Sequence, residues 1–368
     1  MPFAAFMQLA LYHPQHGYYT GGRARTGWKG HYVTSPEVDP AFGRLWARAF
    51  EQVWDAAGRP AQFDIVEIGP GEGGFAHAAL SAMSGPFAAA VRYRLIERVA
   101  ANQERQRHLL DEFTKVSWHR SVAEAPFAEA GCFFANEVLD NLPVHLVEKS
   151  QDKLWELCVE EANGDFITSL RPPSNPELEA FLIRCGIELP DGHRFEVTLA
   201  AESLIAHASS RFASGAWIFV DYGMSAEALS ARPEGTLLCY SDAGSDDLFL
   251  DRVGEKDITV HANWTAVGLA LQKAGHEVSG PLLQRDVLRA LGLTELHDEL
   301  RAEWDRTTAA GAGAAALRAL SRRQALGVLS DPSGLGGLQV LAGVRGIDAP
   351  AFLQPQREET GPQAGLLP

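Results

Sequence analysis

Cysteine is scarce in this chain. Its 368 residues hold only Cys132, Cys158, Cys185 and Cys239, with no C-x-x-C pair and no histidine at ligand spacing. That pattern excludes a disulfide framework and a zinc or other metal site as organising features, and the four read as small buried apolar residues in a reducing compartment. Long apolar runs are also missing. No uninterrupted stretch reaches the ~18–20 residues a membrane span needs, and the opening MPFAAFMQLALYHPQHGYY carries no basic segment ahead of its apolar residues. The expectation is a chain neither exported nor anchored, placed in the cytoplasm, or in the mitochondrial matrix if it is a mature eukaryotic protein. Positive charge is short as well: 32 Lys and Arg against 47 Asp and Glu leave a formal net charge of −15. A field of that sign repels a phosphate backbone, so nucleic acid is a poor partner and a basic peptide or protein segment a better one. No internal repeat is present, and nothing in the sequence sets the oligomeric state.

What is present is apolar and rich in strands. At 46% hydrophobic residues the chain can bury a large core, as two domains or one enlarged α/β domain. FDIVEIG (63–69), VRYRLIE (91–97), KVSWH (115–119), GCFFANE (131–137), AWIFVDYG (216–223) and GTLLCY (235–240) are apolar runs, most of them closed by a polar or acidic residue. Separated by helical or irregular segments, they predict a buried, mostly parallel sheet wound on both faces. GGLQVLAGVRG (336–346) suits an antiparallel edge strand closing that sheet. Residues 145–215 read as an inserted cap: a hairpin or meander turning at ANGD, then two amphipathic helices. The pattern from 257 to 328 is helical, and the tail 347–368 has too little apolar content to pack. The expected organisation is a covering N-terminal segment (1–60), a core of 61–144 and 216–346, the cap, and the tail.

The glycine cluster in FDIVEIGPGEGGF lies where a strand turns into a helix. Gly69, Gly71 and Gly74 match the dinucleotide spacing, while Gly69, Gly71 and Gly73 behind an upstream acid suit S-adenosylmethionine. A dinucleotide would set its pyrophosphate against Glu67 and Glu72 at a helix N-terminus, whereas a sulfonium and an ammonium welcome those carboxylates. Glu97, closing the second strand, is placed to accept two ribose hydroxyls. The residues ending the parallel strands, Glu67, Glu97, Asn136, Glu137, Asp221 and Tyr222, should meet in one crevice.

FMQLALYHPQHGYYT, KGHYVTSPEVDPAFGRLW, VEIGPGEGGF, ANEVLDNLPVH, FVDYG, GTLLCY and GEKDITVHANWTAV together give the chain its resemblance. It resembles the MidA-type methyltransferases, the group that includes a mitochondrial complex I assembly factor with protein arginine methyltransferase activity. The resemblance implies a class I methyltransferase fold, S-adenosylmethionine as cofactor, and an arginine of a protein substrate, possibly a respiratory complex subunit, as acceptor. His31 stands where the family usually has an aspartate, and the stretch after Tyr240 lacks an expected histidine.

An arginine guanidinium stays charged to a pH above ~12, so its methylation needs carboxylates that orient the planar group. Glu137 is the first candidate to grip it, with Asp140 as a second carboxylate if the chain turns helically after the strand, and Asn136 at the cofactor. The other reading of Asp140 is a plain turn ahead of Pro143. Asp221 would face the crevice or cap a turn, and His261 would accept the released proton or serve structure. Tyr19, Thr34 and Ser35, in a segment rich in glycine and aromatics, would reach the site from a cover or lie in a surface loop. A small-molecule or other N-methyltransferase, and a non-catalytic assembly protein, stay open beside protein arginine methylation.

Overall fold

The computed structural model describes residues 1–22 and 34–354, so the His31 departure lies outside the described residues. Seven strands form the central sheet: β1 (Phe63–Ile68), β2 (Val91–Ile96), β3 (Val116–His119), β4 (Ala128–Asn136), β5 (Phe212–Asp221), β6 (Glu277–Leu283) and β7 (Gln339–Arg345). Their spatial order is β6-β7-β5-β4-β1-β2-β3. β1 to β5 run parallel, and β7 is antiparallel to both β5 and β6. This is the doubly wound, class I methyltransferase topology expected.

Both faces of the sheet are covered, which explains the near-continuous apolar runs of its central strands. On one face, helix Ala41–Ala56 presents Trp46 and Phe50 to Phe134 of β4, with ring centroids at 4.7 and 5.6 Å. Phe75, from the helix that follows the glycine turn, stacks on Phe134 at 4.8 Å. Helices Leu199–Ser209 and Trp264–Lys273 pack on the opposite face around Phe133, Trp217 and Phe219. The chain reverses direction across the sheet between β1 and β4, so a crevice opens beyond their carboxyl ends.

Several sequence expectations are corrected. β6 lies within the stretch read as helical: Gly280-Pro281 interrupts it at a register shift, and its exposed residues mask the strand pattern. Consequently the antiparallel C-terminal strand β7 is interior, and β6 occupies the edge. GTLLCY contributes no strand to the central sheet; Leu238–Ser241 is instead the middle strand of a small sheet with Gly244–Asp246 and Asp257–Thr259. Helix Leu199–Ser209 is a layer of the core and not of the cap, as is Ala41–Ala56 from the N-terminal segment. The tail packs at its start, where Phe352 and Leu353 are buried in the core and Phe352 lies 6.2 Å from Trp46.

The meander of the insertion is formed by His145–Ser150, Lys153–Ala162 and Asp165–Arg171. Its second turn places both Asn163 (φ 55°) and Gly164 (φ 89°) in the left-handed region, matching the twist of a tight hairpin. A fourth strand, Arg194–Val197, runs antiparallel beside His145–Glu148. Helix Phe3–Tyr12 buries Phe3, Phe6 and Met7 against the meander and the small sheet.

Candidate active site

A cleft of about 1650 Å³ opens at the carboxyl ends of the parallel strands, roofed by helix Phe3–Tyr12 and the meander. Its walls include the glycine turn, Glu67, Glu97, Asn136, Glu137 and Asp140.

The glycine turn is built for close approach. Gly69 has φ 69°, and a Cβ there would lie 2.9 Å from Val138 Cγ2, so the residue lets the cofactor turn pass the acid-bearing segment. Gly73, with φ 90°, is the left-handed N-cap of helix Gly74–Ala82, and a Cβ would meet Gln106 Cγ at 3.1 Å. Gln106, wholly buried, donates from Nε2 to the Gly71 carbonyl at 2.7 Å and accepts from Trp118 Nε1 at 3.0 Å. It ties the turn to the second strand's helix. Sequence reasoning gave it no role, because a glutamine mid-helix carries no distinguishing pattern.

Glu67 is buried and accepts the Tyr93 hydroxyl at 2.7 Å; burial pushes its carboxyl up to about 8, with Glu97 adding to the rise. Glu97 is raised too, again by burial, although Val99 N (2.7 Å) and Asn102 Nδ2 (3.2 Å) donate to it. Glu72, by contrast, is exposed, 3.4 Å from Arg105 Nε.

The acid-bearing segment turns sharply after β4. Glu137 has φ 51°, an unusual conformation for a residue with a side chain, held by its own N–H donating to the Val220 carbonyl at 2.8 Å. Its Oε1 accepts from Ser35 N at 3.1 Å and Asn136 Nδ2 at 2.9 Å, while among the described residues Oε2 has no partner. Burial first, then Asp140, pushes the Glu137 carboxyl up to about 8. Asp140 sits on the single turn Leu139–Asn141, and Tyr222 Oη donates to its Oδ2. Its Oδ1 is buried and unpartnered among the described residues, and burial lifts this carboxyl to about 6.

Asp221 does not face the crevice, which corrects its candidacy as a catalytic group. It is fully buried, and its Oδ2 accepts from three successive backbone groups, Val138 N (3.2 Å), Leu139 N (2.9 Å) and Asp140 N (3.3 Å). The carboxylate therefore caps the turn that carries Asp140, the role a short acidic side chain performs at orphan N–H groups. Ser35 is likewise behind the wall: its backbone N–H holds Glu137 and its hydroxyl accepts from Gln284 Nε2 at 2.9 Å. Thr34 lines the cleft and opens a one-turn helix by a capping box with Glu37. Tyr19 lines it as well, donating to Asp257 Oδ2 at 2.9 Å, and Asp257 also accepts from Asn141 Nδ2 at 2.9 Å. His261 lies edge-on to Tyr222 at 5.3 Å, with Nδ1 buried and unpartnered among the described residues, and burial lowers its pKa. It is aimed at the same cleft, which makes it a contact candidate, while its lowered basicity opposes a role as principal base.

These residues fit S-adenosylmethionine. Seven acidic side chains line one cleft, favouring a sulfonium and an ammonium over a pyrophosphate. Asn136 Oδ1 is a buried acceptor with no donor among the described residues, as an ammonium would need. Among the described residues no group of His, Cys, Asp and Glu could hold a metal ion.

Comparison with known proteins agrees. Residues 45–282 match the family model described as "Putative S-adenosyl-L-methionine-dependent methyltransferase". The chain is 27% identical over 322 residues to the mitochondrial protein arginine methyltransferase NDUFAF7 of Rattus norvegicus, covering 79% of this chain and 70% of that one. The Drosophila melanogaster homolog is 29% identical over 187 residues, 45% of this chain and 42% of its own length. A Burkholderia thailandensis protein described as a "likely methyl transferase", crystallised with S-adenosyl-homocysteine, superposes with a TM-score of 0.82 at 29% identity, over 96% of this chain and 90% of that one. With the sheet order, the glycine turn and the acidic cleft in place, the chain belongs to the family of S-adenosyl-L-methionine-dependent methyltransferases that this model defines, as its MidA-type motifs imply.

Proposed function

We propose that the chain methylates an arginine guanidinium of a protein substrate. The observation that carries this reading is the Glu137–Asp140 turn: two carboxyl groups on a strained, capped segment at the cleft, each with one oxygen that has no partner among the described residues. S-adenosylmethionine supplies an electrophilic methyl group; the chain supplies position and charge. Glu67, Glu97, Asn136 and the turn through Gly69, Gly71 and Gly73 would hold the cofactor. Glu137 would bind the guanidinium through Oε2, its Oε1 being fixed from two sides. Held at a pKa of about 8, it meets neutral solution largely protonated and ionises when a cation arrives. Asp140 would take the proton that the methylated nitrogen gives up, its own carboxyl near 6 and steadied by Tyr222. A cleft of about 1650 Å³ exceeds the roughly 300–1000 Å³ typical of sites for one small ligand, which supports a cofactor together with a length of polypeptide.

The curated relatives are named mitochondrial; for this chain a reducing compartment, the cytoplasm or a mitochondrial matrix, is supported by its free cysteines. No helix among the described residues is long and apolar enough to cross a membrane. The test is mass spectrometry of an extract incubated with the protein and S-adenosylmethionine carrying an isotopic methyl label. The expected result is label on protein arginine; label confined to small molecules or to other side chains would overturn the assignment.

A further inference from the structure

The outer strand of the meander, Asp165–Arg171, is an open edge. Its seven residues, DFITSLR, pair on one side with Glu156–Ala162 in unbroken register, and among the described residues no backbone group of 165–171 bonds to anything else. Proteins blunt such edges with proline, lysine, bulges or a covering segment. Among the described residues this one has none of those devices. It exposes Phe166 (48%), Ile167 (44%) and Leu170 (39%), a concentration of apolar surface that marks a contact.

We propose that this edge pairs with the same edge of a second copy of the chain, giving a two-fold dimer with one sheet running through both caps. The sequence of the strand is complementary to itself when reversed. An antiparallel pair centred on Thr168 sets Asp165 opposite Arg171 of the second copy, at both ends. It also sets Phe166 opposite Leu170, and Ile167 opposite Ser169. Directly opposed residues share a face of the sheet, so each pairing is a real side-chain contact. The Phe166 and Leu170 face is the one that carries Leu157 and Val159 into the core beside Phe6, whose ring lies 6.1 Å from that of Phe166. Pairing would thus extend an existing apolar layer across the two-fold axis. On the other face Arg171 already meets Glu160 at 2.7 Å, yet its side chain is 57% exposed and can reach a second carboxylate. A one-residue slip in register would break both charge pairs and put the apolar residues out of step, so the strand specifies its own alignment.

The experiment is sedimentation equilibrium of the full chain across a range of concentrations, with light scattering as a check. The expected species has twice the chain mass of 39.9 kDa. Asp165→Arg and Arg171→Asp each replace two attractive cross-strand pairs with repulsive ones and should weaken association by roughly tenfold to a hundredfold. An equimolar mixture of the two variants should recover the dimer, because a mixed pair restores opposite charge at both ends. Melting curves and S-adenosyl-homocysteine binding establish that each variant is folded. Should either fail to fold, hydrogen exchange on the unaltered protein decides: amides of 165–171 must gain protection with concentration, and their failure to do so overturns the proposal. A wild-type chain that stays monomeric overturns it. A dimer indifferent to both reversals overturns it as well.

Discussion

Glu137→Gln separates the demands of function from those of folding at one residue. Glutamine keeps the side chain's shape, and its carbonyl oxygen can accept the two hydrogen bonds now made to Oε1 by Ser35 N and Asn136 Nδ2. What it removes is the charge. If Glu137 grips a guanidinium, the loss of a charge-assisted pair in a desolvated cleft costs about 2–4 kcal/mol of transition-state stabilisation, on the order of 30- to 1000-fold in rate. The same substitution should stabilise the fold. Burial raises this carboxyl from an ordinary 4.5 to about 8. An acid raised by folding is penalised wherever the unfolded chain is ionised and the folded one is not, so stability falls as pH rises from 4.5 through 8. At about 1.36 kcal/mol per pH unit the ceiling is roughly 5 kcal/mol, and local relaxation and solvent reduce it to about 1–3 kcal/mol.

The assay has two arms. Single-turnover methylation of a protein acceptor found by isotopic labelling reads the chemistry, with S-adenosyl-homocysteine affinity measured by calorimetry. Thermal melting of both proteins from pH 5 to pH 9 reads the fold. We expect slow turnover, cofactor affinity within a few-fold, and a melting temperature that gains on the unaltered protein as pH rises. Normal turnover would show that the guanidinium is held elsewhere, with His261 the next residue to test. A parallel collapse of cofactor affinity would place Glu137 on the cofactor. A melting difference that does not vary with pH would refute the argument from burial.

The other predictions follow from neighbouring contacts. Asp221→Asn keeps one oxygen for the three converging N–H groups but sets an amide N–H against Tyr222 N, which now donates to the other oxygen; we expect about 1–3 kcal/mol of lost stability and slower turnover with cofactor affinity retained, and a loss of affinity alone would refute the capping role. Gly69→Ala must accept φ 69° and a contact 2.9 Å from Val138, so calorimetry should show weakened S-adenosyl-homocysteine binding, and melting about 1–3 kcal/mol less stability. Glu97→Ala should lose two ribose hydrogen bonds worth ~1.5–3 kcal/mol each before solvent compensation, together with the bond from Val99 N; unchanged affinity would remove Glu97 from the site. At low acceptor concentration, the methylation rate should climb with pH to a plateau above about 8, because Glu137 must be ionised to bind a cation; a rate already flat from pH 6 would contradict that.

The parts of this molecule legible in its sequence are those fixed by short-range rules. A buried parallel strand reads as an apolar run, a strand-to-helix turn needs glycines, and the chemistry of a sulfonium asks for acids, so β1, β2, β4 and β5 and the residues at their ends could be named from the chain alone. The misses come where tertiary context decides. β6 carries Gly280 and Pro281 and exposes much of its length, so its strand pattern shows only once β7 is beside it. Leu238–Ser241 looks like a core strand because it is apolar, but it buries only Cys239 in the cluster beneath helix Phe3–Tyr12 and pairs within the small sheet.

Asp221 shows why a site is harder to read than a fold. Sequence placed it at the end of a buried strand and left open whether it faced the crevice or capped a turn. That choice depends on the path of residues 137–140, more than 80 positions earlier, and on the left-handed backbone of Glu137. A carboxylate on the cleft would be available to a substrate, whereas one enclosed by three N–H groups is committed to the segment it caps. Yet the enclosed acid is what makes the two at the cleft usable. Val220 accepts from Glu137 N, Asp221 from the next three amides, and the Tyr222 hydroxyl donates to Asp140, so three consecutive residues of one strand end fix four of another. Two partly protonated carboxylates crowded at a cleft would otherwise relax apart, and the strain at Glu137 would have nothing to sustain it. The catalytic proposal therefore rests less on Glu137 and Asp140 as isolated acids than on the rigid strand end that holds them together.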